Sequence, residues 1–312
     1  YLRKRLSKVP LSHVYKMIRT GRVLVGGKKA SERSMLAAGQ TVSAEIPTQD
    51  VSELKRKDPG DLVDTPFFKK NFHVLYEDTH LVALDKPAGL LVHPGEEYSW
   101  KKTLIEMAQA YLARKASKKG EASLFTPALV HRLDQQTSGV VVVAKTGEAL
   151  RGLNAAFAEG TVQKEYLALA CGVPQPRSGT INLALEKGTD EKTGKTMVGV
   201  SKRREAKSAQ TSYAVEKAWK RFALLAVRIH TGRMHQIRVH LQSIHHPIAG
   251  DARYGDFAMN RELERQTGLK RLFLHAHRLA LTHPVTAKPV EIVSSLPDEL
   301  GSVLNRLTDL RL

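Results

Sequence analysis

The sequence predicts an α+β protein: a larger domain around a largely antiparallel mixed β-sheet with flanking helices, and a small α/β unit ahead of it. Three observations carry this. Extended apolar runs come in pairs separated by turn signals, as in "VLYEDTHLVALDKPAG" and the runs at 210–218 and 222–230. Helical stripes such as "LIEMAQAYLARKA" interrupt them irregularly, without the strand–helix alternation of a doubly wound parallel sheet. A polar stretch with Pro and Gly, 48–66, separates two differently patterned parts of a 312-residue chain, long enough for two domains.

Each element has its own signal. Leu11, Val14 and Ile18 recur at helical spacing, with Pro10 before them and Gly21 after. Gly26-Gly27 divides "RVLVGGKKA" into a hairpin, and Val42, Ala44 and Ile46 alternate as a third strand. The expected division is therefore a domain at 1–47, a linker at 48–66 and a domain at 67–312. In the larger part, "VLYEDTHLVALDKPAGLLVHPG" reads as three strands, with Lys86-Pro87-Ala88-Gly89 as the second turn. Leu104, Ala108, Tyr111 and Leu112 share a helical face. "VVVVAK" is a buried strand, and "TGEALRGLNAAFAEG" a helix capped by Thr146 and ended by Gly160. Strands at 162–172, 210–218 and 222–230 follow, then a helix near 233–245 and strands near 271–281 and 289–293. The stretch 186–209 reads as an exposed loop or an extended hairpin.

Charge narrows the function. Lys and Arg number 49 against 31 Asp and Glu, a surplus of +18 that favours a polyanionic partner through counterion release. Lys16, Arg19, Arg22, Lys28, Lys29 and Arg33 fall on the first helix, its exit and the hairpin, and Lys202, Arg203, Arg204 and Lys207 on the later basic stretch. Each set is either a phosphate-binding surface or a solvated face. No amphipathic basic helix points to a membrane, no run is long enough to span one, and no signal-like segment opens the chain. Because the first residue is Tyr1, the native N-terminus is left open. The single cysteine, Cys171, lies in an apolar strand pattern and reads as a buried thiol.

Two stretches are dense in chemistry. "HRLDQQTSGVVVVAK" places Arg132 and Asp134 directly before a buried strand, which can hold a lone carboxylate rigidly at a cleft. To stay ionised there it needs a cation nearby. Thr137 and Ser138 are expected to bond backbone in the turn. "RIHTGRMHQIRVHLQSIHHP" forms a helix with Ile237, Leu241 and Ile244 on its apolar face and His235, Arg238 and Gln242 on a polar stripe, which makes Arg238 a candidate partner for Asp134. Metal binding by His230, His235, His240, His245 and His246 is discounted: the i, i+4 pair is missing and no carboxylate lies among them. In "QKEYLALA", alternation puts Lys164 and Tyr166 on one face and Leu167, Leu169 and Cys171 on the other. Tyr166 then offers either a ring for base stacking or a side chain for a second core layer. No phosphate loop or nucleophile elbow appears, and Asp251 and Asp256 in "GDARYGD" suit a structural loop.

Together these stretches resemble the RluA/RluC/RluD-type RNA pseudouridine synthases. "HRLDQQTSGVVVVAK" looks like that family's catalytic motif, "KEYLAL" its tyrosine motif, "TGRMHQIRVH" its arginine motif, "LFLHA" its late apolar motif and "LDKPAGLLVH" its first motif. Segment 8–47 resembles the S-four-like RNA-binding domain that many members carry, and the run from "HPIAGDARYGD" to "HRLALTHP" looks closest to the RluC branch. The resemblance implies the pseudouridine synthase fold, isomerisation of specific uridines in RNA, and no cofactor or metal. Asp134 would then be the catalytic carboxylate, as nucleophile or base, and Arg238 its partner. Tyr166 would stack on the base, Leu274 pack against it, Arg132 fill the gap left by a flipped uridine, and Lys164 lie on the substrate side. The implied partner is RNA, large-subunit ribosomal RNA or an assembling ribosomal particle, and a cytoplasmic monomer is expected. The alternatives are a catalytically inactive RNA-binding or ribosome-assembly factor, separated by the absence of isomerisation, and a metal-dependent nuclease, separated by RNA cleavage that a chelator blocks.

Overall fold

The structure is a computed structural model, which describes residues 11–31, 34–37, 39–45, 62–93, 103–118, 125–189 and 196–310, without the side chains of 11–13 and 16. The first described unit is helix α1 (Leu11–Arg19) and a three-stranded antiparallel sheet of β1 (Val23–Val25), β2 (Lys28–Lys29) and β3 (Val42–Ala44), with β1 in the middle. Val14 and Met17 of the helix and Val23 of β1 are buried, while Ile18 of the expected stripe is half-buried. Ile46 and Arg33 lie outside the described residues, as does most of 48–66. At the end of that stretch Leu62 and Val63 pack on the main core and Thr65 caps α2 (Pro66–Asn71), accepting the amide of Phe68.

The rest of the chain is organised by a ten-stranded sheet. Its strands are β4 (His73–Glu77), β5 (Leu81–Lys86), β6 (Ala128–Leu129), β7 (Ser138–Ala144), β8 (Gln163–Cys171), β9 (Ser178–Asn182), β12 (Gln210–Ala218), β13 (Phe222–Ile229), β14 (Leu274–Thr282) and β15 (Pro289–Val293). The spatial order is β4-β5-β7-β14-β8-β13-β12-β9, with β6 on β7 and β15 on β14. Every pairing is antiparallel except β7 with β14, where His275 lies opposite Ser138. A two-stranded hairpin, β10 (Leu185–Thr189) and β11 (Thr196–Val200), stands apart from it.

The middle strands are buried on both faces, which explains their near-continuous apolar runs. Along β7, Val141 and Val143 enter one core while Val140, Val142 and Ala144 enter another. Helices α3 (Leu104–Lys118) and α5 (Gln236–Ser243) supply Leu104, Met107, Ile237 and Leu241 to the first core. On the opposite face α4 (Gly147–Glu159) packs Ala149 and Leu153, and α6 (Phe257–Thr267) and α7 (Asp298–Asp309) pack Leu263, Leu300, Val303 and Leu307. Thr146 caps α4 through the Ala149 amide and Gly160 ends it at φ 74°.

Three expectations are corrected here. Among the described residues, the third strand expected after Gly89 is only a bridge between Leu91 and Thr103. The helix expected at 233–245 begins at Gln236, since His235 adopts a left-handed conformation, φ 54°. Asp256 opens α6 by accepting the amides of Ala258 and Met259 rather than sitting in a plain loop. Tyr166 lies, as the alternation predicts, on the face of β8 opposite Leu169 and Cys171, and that face is a covered core layer shared with Leu225 and Leu274.

Candidate active site

The site is built where β7, β14, α5 and the loop after α5 converge. Asp134 occupies a tight turn, its carbonyl accepting the Thr137 amide at 3.1 Å. Neighbours pin this turn from two directions. Lys86, fully buried at the end of β5, donates from Nζ to the carbonyls of Pro87, Leu90 and Gln135 at 2.8–2.9 Å. Arg271 reaches the Gln136 carbonyl at 3.1 Å and the Ser138 hydroxyl at 3.0 Å. Burial pushes the Lys86 ammonium down to about 7, helped by Arg271 and opposed by Asp134 and Asp85. The three carbonyls around Nζ match its three donors and favour the charged form. Thr137 and Ser138 do not make the expected turn bonds. The Thr137 hydroxyl is buried without a partner, and Ser138 bonds His275 at 2.9 Å, because the strand entry faces β14 rather than its own turn.

Two glycines let the backbones approach at this point. Gly139 has φ 113°, and a Cβ there would lie 2.2 Å from the Ala276 carbonyl oxygen; Gly250 has φ 74°, and its Cβ would lie 2.0 Å from the Arg271 oxygen. Gly139 holds the strand behind Asp134, and Gly250 precedes Asp251.

Arg238, on α5, joins two carboxylates. Its Nη1 donates to Asp134 Oδ2 at 3.0 Å, while Nε and Nη2 form a fork on Asp251 at 2.7 and 2.9 Å. Asp251 is 1% exposed and also accepts the amides of Arg253 and Tyr254. Burial opposes charge on both partners, but their mutual hydrogen bonds dominate: the Asp251 carboxyl is held low and the Arg238 guanidinium above its ordinary range. The Tyr254 ring lies 4.9 Å from the guanidinium carbon. Asp134 is the more open member of the trio, with 26% of its side chain exposed. A half-open carboxylate, oriented through an arginine that a buried acid holds in place, can attack or take a proton without repositioning.

The other expected site residues fall into groups. Tyr166 and Leu274 share the core beside this trio, and burial, then the Asp134 charge, raises the Tyr166 hydroxyl well above 10, so it is a phenol at neutral pH. Arg132 is exposed. Lys164 is buried, with its ammonium 5.6 Å over the Phe157 ring of α4. Arg19, Arg22, Lys28 and Lys29 are exposed on the N-terminal unit, and Lys202, Arg203 and Arg204 follow β11, with Arg203 3.6 Å from Glu186. The side chain of Lys16 lies outside the described residues, as does Arg33. The five histidines make separate bonds or turns. His230 meets Ser212, His235 meets Tyr254, His240 meets Thr211 and Leu183, and His246 meets the Cys171 carbonyl. His245 adopts φ 62° just past α5. Among the described residues no group of three or more His, Cys, Asp or Glu is placed to hold a metal, and no helix is long and apolar enough to cross a membrane.

Sequence reasoning missed Asp251, Tyr254 and Lys86. A lysine ending an apolar strand before Pro87 was a usable signal for the last. For Asp251 the signal was an acid in a Gly-rich turn that follows an arginine helix with no acid of its own.

Residues 80–243 match the family model described as RNA pseudouridylate synthase. The chain is 38% identical to ribosomal large subunit pseudouridine synthase C of Escherichia coli strain K12, covering 100% of this chain and 92% of that protein. It is 37% identical to the protein of that name from Vibrio vulnificus strain CMCP6, over 98% and 91% of the two chains. Among solved structures, human RNA pseudouridylate synthase domain containing 4 superposes with a TM-score of 0.63 at 27% identity, covering 80% of this chain and 97% of that one.

Proposed function

This chain belongs to the RNA pseudouridylate synthase family, and from that premise we propose that it isomerises specific uridines in large-subunit ribosomal RNA, free or in an assembling particle. Its similarity to the synthase C proteins along the whole chain supports that substrate class. In the reaction the bond from ribose C1′ to N1 of uracil breaks, the base turns, and C1′ bonds to C5. N1 gains a proton and C5 loses one, so the change is neutral in redox and consumes no water. One carboxylate can serve both halves of it.

Asp134 is that carboxylate, acting as nucleophile at the sugar or as base at its neighbouring carbon. Arg238 holds it aimed, and Asp251 fixes Arg238. Leu274 and the Tyr166 ring form the apolar wall for the base. As a neutral phenol Tyr166 acts through its ring; proton uptake from C5 would need it deprotonated first. Arg132, exposed beside Asp134, takes the place of the everted uridine in the RNA stack. Lys164, buried over Phe157 on the same strand as Tyr166, is kept on the substrate side of the site. Arg19, Arg22, Lys28, Lys29, Lys202, Arg203 and Arg204 supply phosphate contacts that place the RNA without reading its sequence.

The observation that carries this reading is the half-open Asp134 carboxylate 3.0 Å from a guanidinium clamped by buried Asp251. An inactive binding factor has no use for such an arrangement. The test is Asp134→Asn assayed on RNA tritiated at C5 of uridine. Tritium release should vanish while RNA binding and melting temperature hold; release at the parental rate would overturn the assignment. Mapping pseudouridine in cellular RNA with and without the protein identifies the substrate.

A further inference from the structure

His235 stands between α5 and the reacting carboxylate without capping the helix it precedes. Its backbone is left-handed, at φ 54° and ψ 19°, a conformation that strains a non-glycine residue. The side chain gives a reason for holding that conformation. Its Nδ1 lies 2.8 Å from the Tyr254 hydroxyl, and its Nε2 faces Asp134 Oδ2 at 3.9 Å. The Tyr254 oxygen already accepts the Val198 amide at 3.0 Å. Its own O–H therefore points to His235 Nδ1, which puts the imidazole proton on Nε2, the nitrogen aimed at Asp134.

We propose that His235 is a positioning residue for the isomerisation: a neutral imidazole, locked in the Nε2–H tautomer by Tyr254, that donates to Asp134 Oδ2 once RNA closes the site. This deepens the proposed function and rests on Asp134 being the reacting carboxylate. Both neighbours of that carboxylate, Arg238 and His235, lie on Oδ2, so the added bond would leave Oδ1 facing substrate. Donor–acceptor distances in empty sites commonly tighten in the working complex. The groups facing the ring are Asp134, Asp251, Arg238, Arg253 and Tyr254. Burial pushes the imidazole down to about 4 against the pull of Asp134, so it stays uncharged at neutral pH. The chain Val198–Tyr254–His235 also links the β10–β11 hairpin to the carboxylate.

The test compares His235→Ala, His235→Gln and Tyr254→Phe in single-turnover tritium release, with RNA binding measured separately. Glutamine can place a neutral N–H where Nε2 stands. His235→Ala should slow the chemical step on the order of 10²-fold, the usual consequence of a small misplacement, with RNA Kd within about 2-fold. His235→Gln should recover most of the rate, and Tyr254→Phe should fall between them. Parental rates in His235→Ala, or equal losses in the Ala and Gln variants at unchanged melting temperature, would overturn the inference. So would a loss confined to RNA binding. Asp134→Asn runs alongside: if it releases tritium at the parental rate, the proposed function fails; if it is dead while His235→Ala is unaffected, only the role of His235 fails.

Discussion

Replacing Arg238 by Met separates two jobs that the structure gives to one side chain. The guanidinium makes three hydrogen bonds, one to Asp134 and two to Asp251. Asp134 is half-open and water can replace the lost partner. Asp251 is 1% exposed and keeps only the amides of Arg253 and Tyr254. Removing one member of a buried pair costs roughly 3–5 kcal/mol, because the remaining charge is stranded. The two amides remain, so the lower end applies, and Arg238→Met should lose about 3 kcal/mol of unfolding free energy. A second change, Asp251→Asn, removes the stranded charge while its side-chain oxygen still accepts those amides. The double variant should recover to within about 1 kcal/mol of the parent, a coupling that a double-mutant cycle reads directly. Activity should not recover, since Asp134 still lacks its guanidinium; tritium release should stay on the order of 10²-fold or more below the parent. Urea denaturation followed by circular dichroism gives the stabilities, and 5-tritiated RNA the activities. A single variant as stable as the parent, or a double variant that turns over normally, would refute the reasoning.

Three further outcomes are expected. The Val142 amide donates to His131 Nε2 at 3.0 Å, so that nitrogen must stay unprotonated; burial, then Lys164, pushes the ring down to about 3. The unfolded chain binds this proton below its ordinary pKa of 6.5 and the folded one does not until about 3. Stability therefore falls with pH through that window, by at most about 2 kcal/mol at pH 5, and His131→Gln should flatten this part of the pH–stability curve. Gly139→Ala should cost about 3 kcal/mol or more in chemical denaturation, since its Cβ would meet the Ala276 carbonyl at 2.2 Å. Reversing Lys28 and Lys29 to Glu should weaken RNA binding and reduce its salt slope by about 2, with single-turnover rates at saturating RNA unchanged; an unaltered slope would remove that hairpin from the RNA interface.

Local pattern was enough to determine the strands β7, β8, β12 and β13, the capped helix α4, and the α+β class, because periodicity, turn residues and caps are written in consecutive positions. It was enough, too, to single out Asp134 and Arg238 as one acid and one base in want of partners, and to show a family resemblance. Tertiary structure decided what each of these residues touches. Arg238 proved to be shared with Asp251, whose burial no local signal reports. Alternation gave the face of β8 on which Tyr166 lies, but that this face is a covered core layer depends on the elements packed over it. Lys86, His235 and Tyr254 come to Asp134 from distant parts of the chain. Burial and hydrogen-bond geometry are properties of the assembled neighbours, so a linear reading can nominate a carboxylate but not its surroundings.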